Sequence, residues 1–160
     1  MSDFVIQSMT ITDLDQVLEV EQRSFSTPWS RFAFQTELNQ NQYAHYLVGK
    51  WRDTVIAYAG TWIVLDEAHI TNVAVHPDWR GRGLSHRLLL ALLAAAKARG
   101  AVRATLEVRA GNRVAQSLYV QHGFVFNGCR KGYYTDTGED ALIMWKNDLS
   151  DVPSLTGADQ

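Results

Sequence analysis

The chain has 160 residues, 46% of them hydrophobic and 20% charged, which suits one globular domain able to bury most of its apolar surface. A formal charge of −2 lacks the Lys/Arg excess that neutralising phosphates requires, so direct nucleic-acid binding is not expected. The single cysteine, Cys129, excludes an intrachain disulfide and a multi-cysteine zinc site, and reads as a small apolar filler.

The first residues, Met1 to Val5, show no basic stretch followed by an apolar run, so no secretory signal is read there. Phe4-Val5-Ile6 reads as a short strand. Thr12 with Asp15 reads as a capping box, and Leu14, Val17 and Leu18 follow at helical spacing. Pro28 disfavours helix at Thr27, so this helix fades near Phe25. Ser30 then caps a second helix that turns Phe34 and Leu38 inward. Tyr46 to Val48, Val55 to Leu65 and Ile70 to Val75 read as strands of an antiparallel meander, with turns at Arg52-Asp53 and Asp66-Glu67.

A polar, glycine-rich loop follows, His76-Pro77-Asp78-Trp79-Arg80-Gly81-Arg82-Gly83. Beyond it Leu84, Leu88, Leu89, Leu92, Leu93 and Ala96 mark one face of a helix that Gly100 ends. Its apolar run, Leu88 to Ala96, falls far short of the roughly 20 residues that cross a bilayer. No membrane association is expected, and the default location is cytoplasmic. Val102 to Arg109 alternates apolar and polar residues as a strand does. A helix from Val114 to His122, closed by Gly123, leads to strands at Phe124 to Phe126 and Ala141 to Trp145. The domain is read as residues 1–149, with 150–160 as a flexible C-terminal tail. A meander followed by strand–helix–strand–helix–strand predicts an α/β sheet with helices on both faces.

The junction at residues 75–84 is the expected ligand site. Free N–H groups and the dipole at a helix N-terminus favour an anion, glycines admit a pyrophosphate, and Arg80, Arg82 and Arg87 add positive charge. The Walker A pattern is absent, and a dinucleotide fingerprint would need glycine where His86 stands. On the residues alone, a turn and helix cap without ligand remains the alternative.

The segment Arg80-Gly81-Arg82-Gly83-Leu84-Ser85 resembles the acetyl-CoA loop of the GNAT acetyltransferase family, Arg/Gln-x-x-Gly-x-Gly/Ala, with Ser85 in place of the last small residue. Three more segments extend the resemblance: Asn72 to Pro77, Leu106 to Asn112, and Ala115 to Phe124, which fits A-x-x-L-Y-x-x-x-G-F. Within the family the chain resembles the branch that acetylates the N-terminal alanine of a small-subunit ribosomal protein. Pro28-Trp29-Ser30, Val64 to Ala68 and Tyr133-Tyr134 ahead of Gly138 to Ala141 carry that likeness. Ser85, Gly111 and Thr135 depart from it.

The resemblance implies the GNAT fold, a central mixed, mostly antiparallel sheet flanked by helices on both faces. It also implies acetyl-CoA as cosubstrate, held by Val73, Ala74, Val75, Arg80, Gly81, Arg82, Gly83, Leu84, Ser85, His86 and Asn112, with the Val75 N–H polarising the acetyl carbonyl. Glu107 is the general base and Tyr119 the general acid. Without the resemblance, Glu107 reads as a cross-strand partner of Arg103 or Arg109, and Tyr119 as a core aromatic. Trp29, Tyr133 and Tyr134 either line the acceptor groove or serve packing. The five histidines show no metal-ligand spacing. The expected partner is a ribosomal-protein N-terminus. A lysine side chain or small amine as acceptor, and a non-catalytic module that binds acetyl-CoA, are the alternatives.

Overall fold

Alternation makes the strands and a 3.6-residue period makes the helices, and both show in the computed structural model, which describes residues 3–154. The strands are β1 (Phe4–Ser8), β2 (Ala44–Trp51), β3 (Thr54–Val64), β4 (Glu67–Val75), β5 (Arg103–Arg109), β6 (Val125–Arg130) and β7 (Ala141–Lys146). The helices are α1 (Leu14–Ser24), α2 (Arg31–Asn39), α3 (Leu84–Ala98) and α4 (Arg113–Gln121). The strands form one sheet in the order β1-β2-β3-β4-β5-β7-β6. β4 and β5 pair in parallel and the other neighbours pair antiparallel, so the sheet is mixed and mostly antiparallel.

Each face of the sheet has its own core. On one, Leu84, Leu88, Leu89, Leu92 and Leu93 of α3 and Leu118 and Tyr119 of α4 pack on Ala104, Leu106 and Val108 of β5. On the other, Leu14, Val17 and Val20 of α1 and Phe34 of α2 pack on Tyr46, Val48, Tyr58 and Ala74. Each fully buried leucine contributes roughly 1.5–3 kcal/mol, so α3 is held by its buried face.

α2 starts as its sequence predicts, with the Ser30 hydroxyl accepting the Ala33 N–H at 3.1 Å. α1 does not. The chain enters through a 3-10 turn at Ile11–Asp13, and the Asp13 carboxylate accepts the Thr10 N–H at 2.9 Å, so the capping pair is Thr10 and Asp13, not Thr12 and Asp15. The second hairpin turn lies at Leu65-Asp66, one residue early, because Glu67 already pairs with Val64. Cys129 is exposed and fills no core, since every residue of the terminal strand β6 is exposed. Ser150 to Val152 is docked: Val152 is buried and the Lys97 ammonium donates to its carbonyl at 2.7 Å. Residues 155–160 of the expected tail lie outside the described ones. Among the described residues no helix is long and apolar enough to cross a membrane.

One irregularity shapes the functional region. Gly60 pairs with Asn72 and Thr61 with Ile70, leaving Thr71 as an extra residue in β4. Such a bulge bends its strand. β4 accordingly pairs with β5 over Glu67, Ala68 and His69 alone, opposite Arg103, Ala104 and Thr105. Beyond those pairs the two strands part, and a cleft opens between them.

Candidate active site

The glycine-rich loop leads from the end of β4 into α3. Gly81 and Gly83 hold φ of +79° and +76°, a left-handed backbone that side chains rarely adopt, and a Cβ at either would meet nothing within 4 Å. Open space therefore lies over the loop. The N–H groups of Leu84, Ser85 and His86 precede the first helical bond, which Arg87 donates to the Gly83 carbonyl at 3.3 Å. This is the anion-binding geometry that the sequence suggests.

Val73, Ala74 and Val75 share a chamber of about 430 Å³ with Arg80, Gly81, Gly83, Leu84, Ser85 and Asn112. Two of the expected cofactor residues do not join it. The Arg82 guanidinium lies over the Trp79 ring at 4.8 Å. His86 stacks on His122, with Nδ1 and Nε2 3.0 Å apart. Successive residues of a helix turn by about 100°, so Ser85 facing the chamber carries His86 away from it. Arg87 is likewise drawn off, over the Phe4 ring at 4.9 Å. Arg80 is a clamp: its Nε donates to the Val75 carbonyl at 2.9 Å and its Nη2 to the Ser24 hydroxyl at 3.3 Å.

Main-chain direction follows from strand alternation. His76 donates its N–H to the Ile56 carbonyl on β3 at 2.8 Å. Val75 and Val73 therefore turn their N–H groups the other way, into the gap, while Ala74 pairs with β3. Ala74 thus offers the chamber a small side chain and no main-chain group. The Asn112 side-chain oxygen is engaged as the cap of α4, accepting from the Ala115 N–H at 3.1 Å.

Glu107 and Tyr119 reach the same gap from opposite faces. Leu106 and Val108 bury toward α3, so Glu107 emerges on the α1 side, 13% exposed. Its Oε2 lies 2.7 Å from Nε2 of His69. That hydrogen bond, then the His69 and Arg130 charges, hold the carboxyl below the ordinary glutamate range against the opposing effect of burial. The arginine pairing suggested by the sequence does not form. Arg103 bonds Asp66 at 2.9 Å, and Arg109 bonds Asp136 at 2.9 Å and Glu139 at 3.4 Å. Tyr119 borders the loop-side chamber and a second chamber that holds Glu107. Burial raises its phenol well above the ordinary tyrosine range, so it stays protonated and able to donate.

The second chamber, about 450 Å³, lies on the Glu107 side of the gap. Trp29 and Tyr134 wall it and also pack: Trp29 against Phe34 at 5.3 Å, Tyr134 under the Arg109 guanidinium at 4.1 Å. Burial pushes the Tyr134 hydroxyl to about 12. Tyr133, 48% exposed, is not among the residues that wall this chamber and packs edge-on against Tyr134 at 5.1 Å. Sequence reasoning did not find Glu21, Asp136 or Glu139 here, nor His69 beside Glu107. The Glu21 carboxylate accepts the Trp29 N–H at 2.8 Å and the Tyr58 hydroxyl, and burial raises its pKa. Asp136 also accepts from Ser26 at 2.8 Å, tying the α1–α2 connection to the β6–β7 connection across the cleft. At Gly111 the main-chain N–H donates to Oε2 of Glu139 at 3.1 Å.

Residues 14–124 match the family described as Acetyltransferase (GNAT) family. A protein of Bacillus subtilis (strain 168), provisionally named a [ribosomal protein bS18]-alanine N-acetyltransferase, is 46% identical over 140 residues, 88% of this chain and 93% of that one. The crystal structure of the ribosomal-protein-S18-alanine N-acetyltransferase from Escherichia coli superposes with a TM-score of 0.83 at 35% identity, covering 98% of each chain. The PaiA N-acetyltransferase of Thermoplasma acidophilum, solved in complex with coenzyme A, shares the fold at 21% identity, with a TM-score of 0.77 over 90% of this chain and 98% of that one.

Proposed function

Since the chain belongs to the GNAT family of acetyltransferases, we propose that it is a one-domain enzyme moving the acetyl group of acetyl-CoA to a protein's N-terminal amine. Its acceptor in this reading is the N-terminal alanine of a small-subunit ribosomal protein, and its location is the cytoplasm. The names of the Bacillus and Escherichia relatives support the acceptor. The observation that carries the chemistry is the pairing of an ionised Glu107, held by His69, with a protonated Tyr119 across the β4–β5 gap.

Acetyl-CoA supplies an activated thioester. The Gly81–Ser85 backbone receives its pyrophosphate, and the Val73 and Val75 N–H groups line its approach, with Val75 placed to polarise the acetyl oxygen. An α-amine, with a pKa of about 7.7–8.0, loses its proton far more readily than a lysine at about 10.4. Glu107 takes the amine proton, directly or through water, as the nitrogen–carbon bond forms. Tyr119 gives its proton to sulfur as the carbon–sulfur bond breaks. The net transfer is one acetyl to nitrogen and one proton from nitrogen to thiol; Glu107 then releases its proton to solvent and the Tyr119 phenolate takes one back from it.

The test supplies acetyl-CoA with peptides beginning Ala-Arg, Ser or Met, and with a blocked peptide carrying an internal lysine. Peptide mass and free thiol are followed together. Acetylation confined to the free alanine terminus is the expected result. Modification of the lysine alone would overturn the acceptor assignment, and cofactor binding with no transfer to any peptide would favour a small amine or a non-catalytic module.

A further inference from the structure

The imidazole that bonds Glu107 ends a line of contacts running back to α2. Trp62 of β3 pairs with His69 of β4, and His69 pairs with Thr105 of β5. Residues directly across from each other share a face of the sheet, and Glu107, two places beyond Thr105, shares it too. Trp62, His69 and Glu107 therefore stand in a row. The Trp62 and His69 rings meet at 85° with 6.0 Å between centroids, a favoured aromatic geometry.

Trp62 is itself tied down. Its indole Nε1–H donates to Oε1 of Glu37 on α2 at 2.5 Å. The same oxygen accepts the Tyr46 hydroxyl at 2.7 Å, and Oε2 accepts the Asn41 side-chain amide at 2.8 Å. Donors from β2, β3 and the end of α2 thus converge on one carboxylate. With its polar edge held, the indole presents a fixed ring to His69.

His69 needs such a support. Its side chain is 40% exposed, which leaves the imidazole room to turn toward solvent. A turned ring would carry Nε2 away from Oε2 of Glu107, now 2.7 Å off, and hydrogen bonds weaken steeply with misalignment. Neither Trp62 nor His69 borders the Glu107 chamber, so both stand behind the site. We propose that Trp62, anchored by Glu37, is a positioning residue that acts through His69 to align its hydrogen bond with Glu107. The assignment rests on the reading of Glu107 as the general base.

The experiment compares wild type, Trp62→Leu and Trp62→Phe, each with His69 intact and in a His69→Ala background. The pH profile of kcat/KM is measured with an alanine-initiated peptide, and acetyl-CoA affinity by calorimetry. Weakening the His69 bond raises the Glu107 pKa toward its ordinary value, and a base works ionised. Trp62→Leu should therefore move the acidic limb to higher pH, with acetyl-CoA affinity unchanged. On that limb kcat/KM should fall about three- to tenfold, the worth of one hydrogen bond. Trp62→Phe keeps a ring without the bond to Glu37 and should shift the limb less, in the same direction. The Arg130 charge also acts on Glu107, and Glu21, Arg109, Tyr134, Asp136 and Glu139 border its chamber, but all are present in every variant. With His69→Ala, Trp62→Leu should move the limb no further, since no imidazole remains to be oriented.

An acidic limb that stays in place in Trp62→Leu overturns the proposal. So does a shift of equal size with and without His69, which would mark a general loosening of the sheet. Should Trp62→Leu fail to fold, Trp62→Phe is judged by the same criteria. A second readout needs no turnover: the His69 Nε2 proton, held by Glu107, should give a resolved NMR signal in wild type and lose it in Trp62→Leu. A signal that survives the substitution overturns the proposal as well. Glu107→Gln with wild-type kcat overturns the base reading itself and is seen before any Trp62 variant is compared, whereas the NMR signal judges the positioning separately.

Discussion

Glu107 sits 38 positions from His69 in the chain, yet the two share a 2.7 Å hydrogen bond. Because that bond lowers the Glu107 pKa, losing it raises the pKa toward the ordinary value. A base works in its ionised form, so His69→Ala should move the acidic limb of the pH profile of kcat/KM to higher pH, whereas His69→Gln, which can still donate, should restore part of the shift. Glu107→Gln should lower kcat by about 10²–10⁴, the usual range for a general base, while leaving acetyl-CoA binding intact by calorimetry. Tyr119→Phe keeps the ring that packs on Phe124 at 5.6 Å, so it should stay folded and lose kcat without losing its thermal midpoint. A Tyr119→Phe enzyme with wild-type kcat would remove the acid assignment.

The element that matters most is the β4–loop–α3 unit. Its bulge at Thr71 frees the Val73 and Val75 N–H groups, and its glycines expose the first turn of α3. Gly83→Val places a branched side chain at φ +76°, where the left-handed backbone costs roughly 1–2 kcal/mol per residue. Weaker acetyl-CoA binding, by at least about tenfold, is expected from the altered loop; a variant that binds coenzyme A as wild type does would mean the phosphates lie elsewhere. Arg80 acts within the same unit as a clamp on the Val75 carbonyl, which is a different role from the free positive charge read from its sequence.

For the molecule as a whole, the chamber around Glu107 is closed by contacts between distant segments. Asp136 joins Arg109 of β5 and Ser26 of the α1–α2 connection, residues up to 110 positions apart. Asp136→Asn should weaken both contacts. Hydrogen exchange is expected to speed up in residues 25–30 and 131–140 and to stay unchanged in α3, with a raised peptide KM. Equal protection in both proteins would show that the chamber is held by packing of Trp29 and Tyr134 alone.

Sequence by itself determined the strand and helix faces, because burial follows periods of two and 3.6 along the chain, as Leu106 and Leu88 illustrate. It likewise determined the Ser30 cap, the need for glycine at 81 and 83, and the family whose motifs lie in order from Asn72 to Phe124, since all of these are local. Tertiary structure alone decided that Glu107 meets His69 and not an arginine, that Arg82 and His86 stay outside the loop-side chamber, and that Cys129 is exposed on a terminal strand. It also decided where β4 leaves β5. Those outcomes depend on strand order, a one-residue bulge and the helical turn between neighbours, and each brings together groups that nothing local in the chain connects.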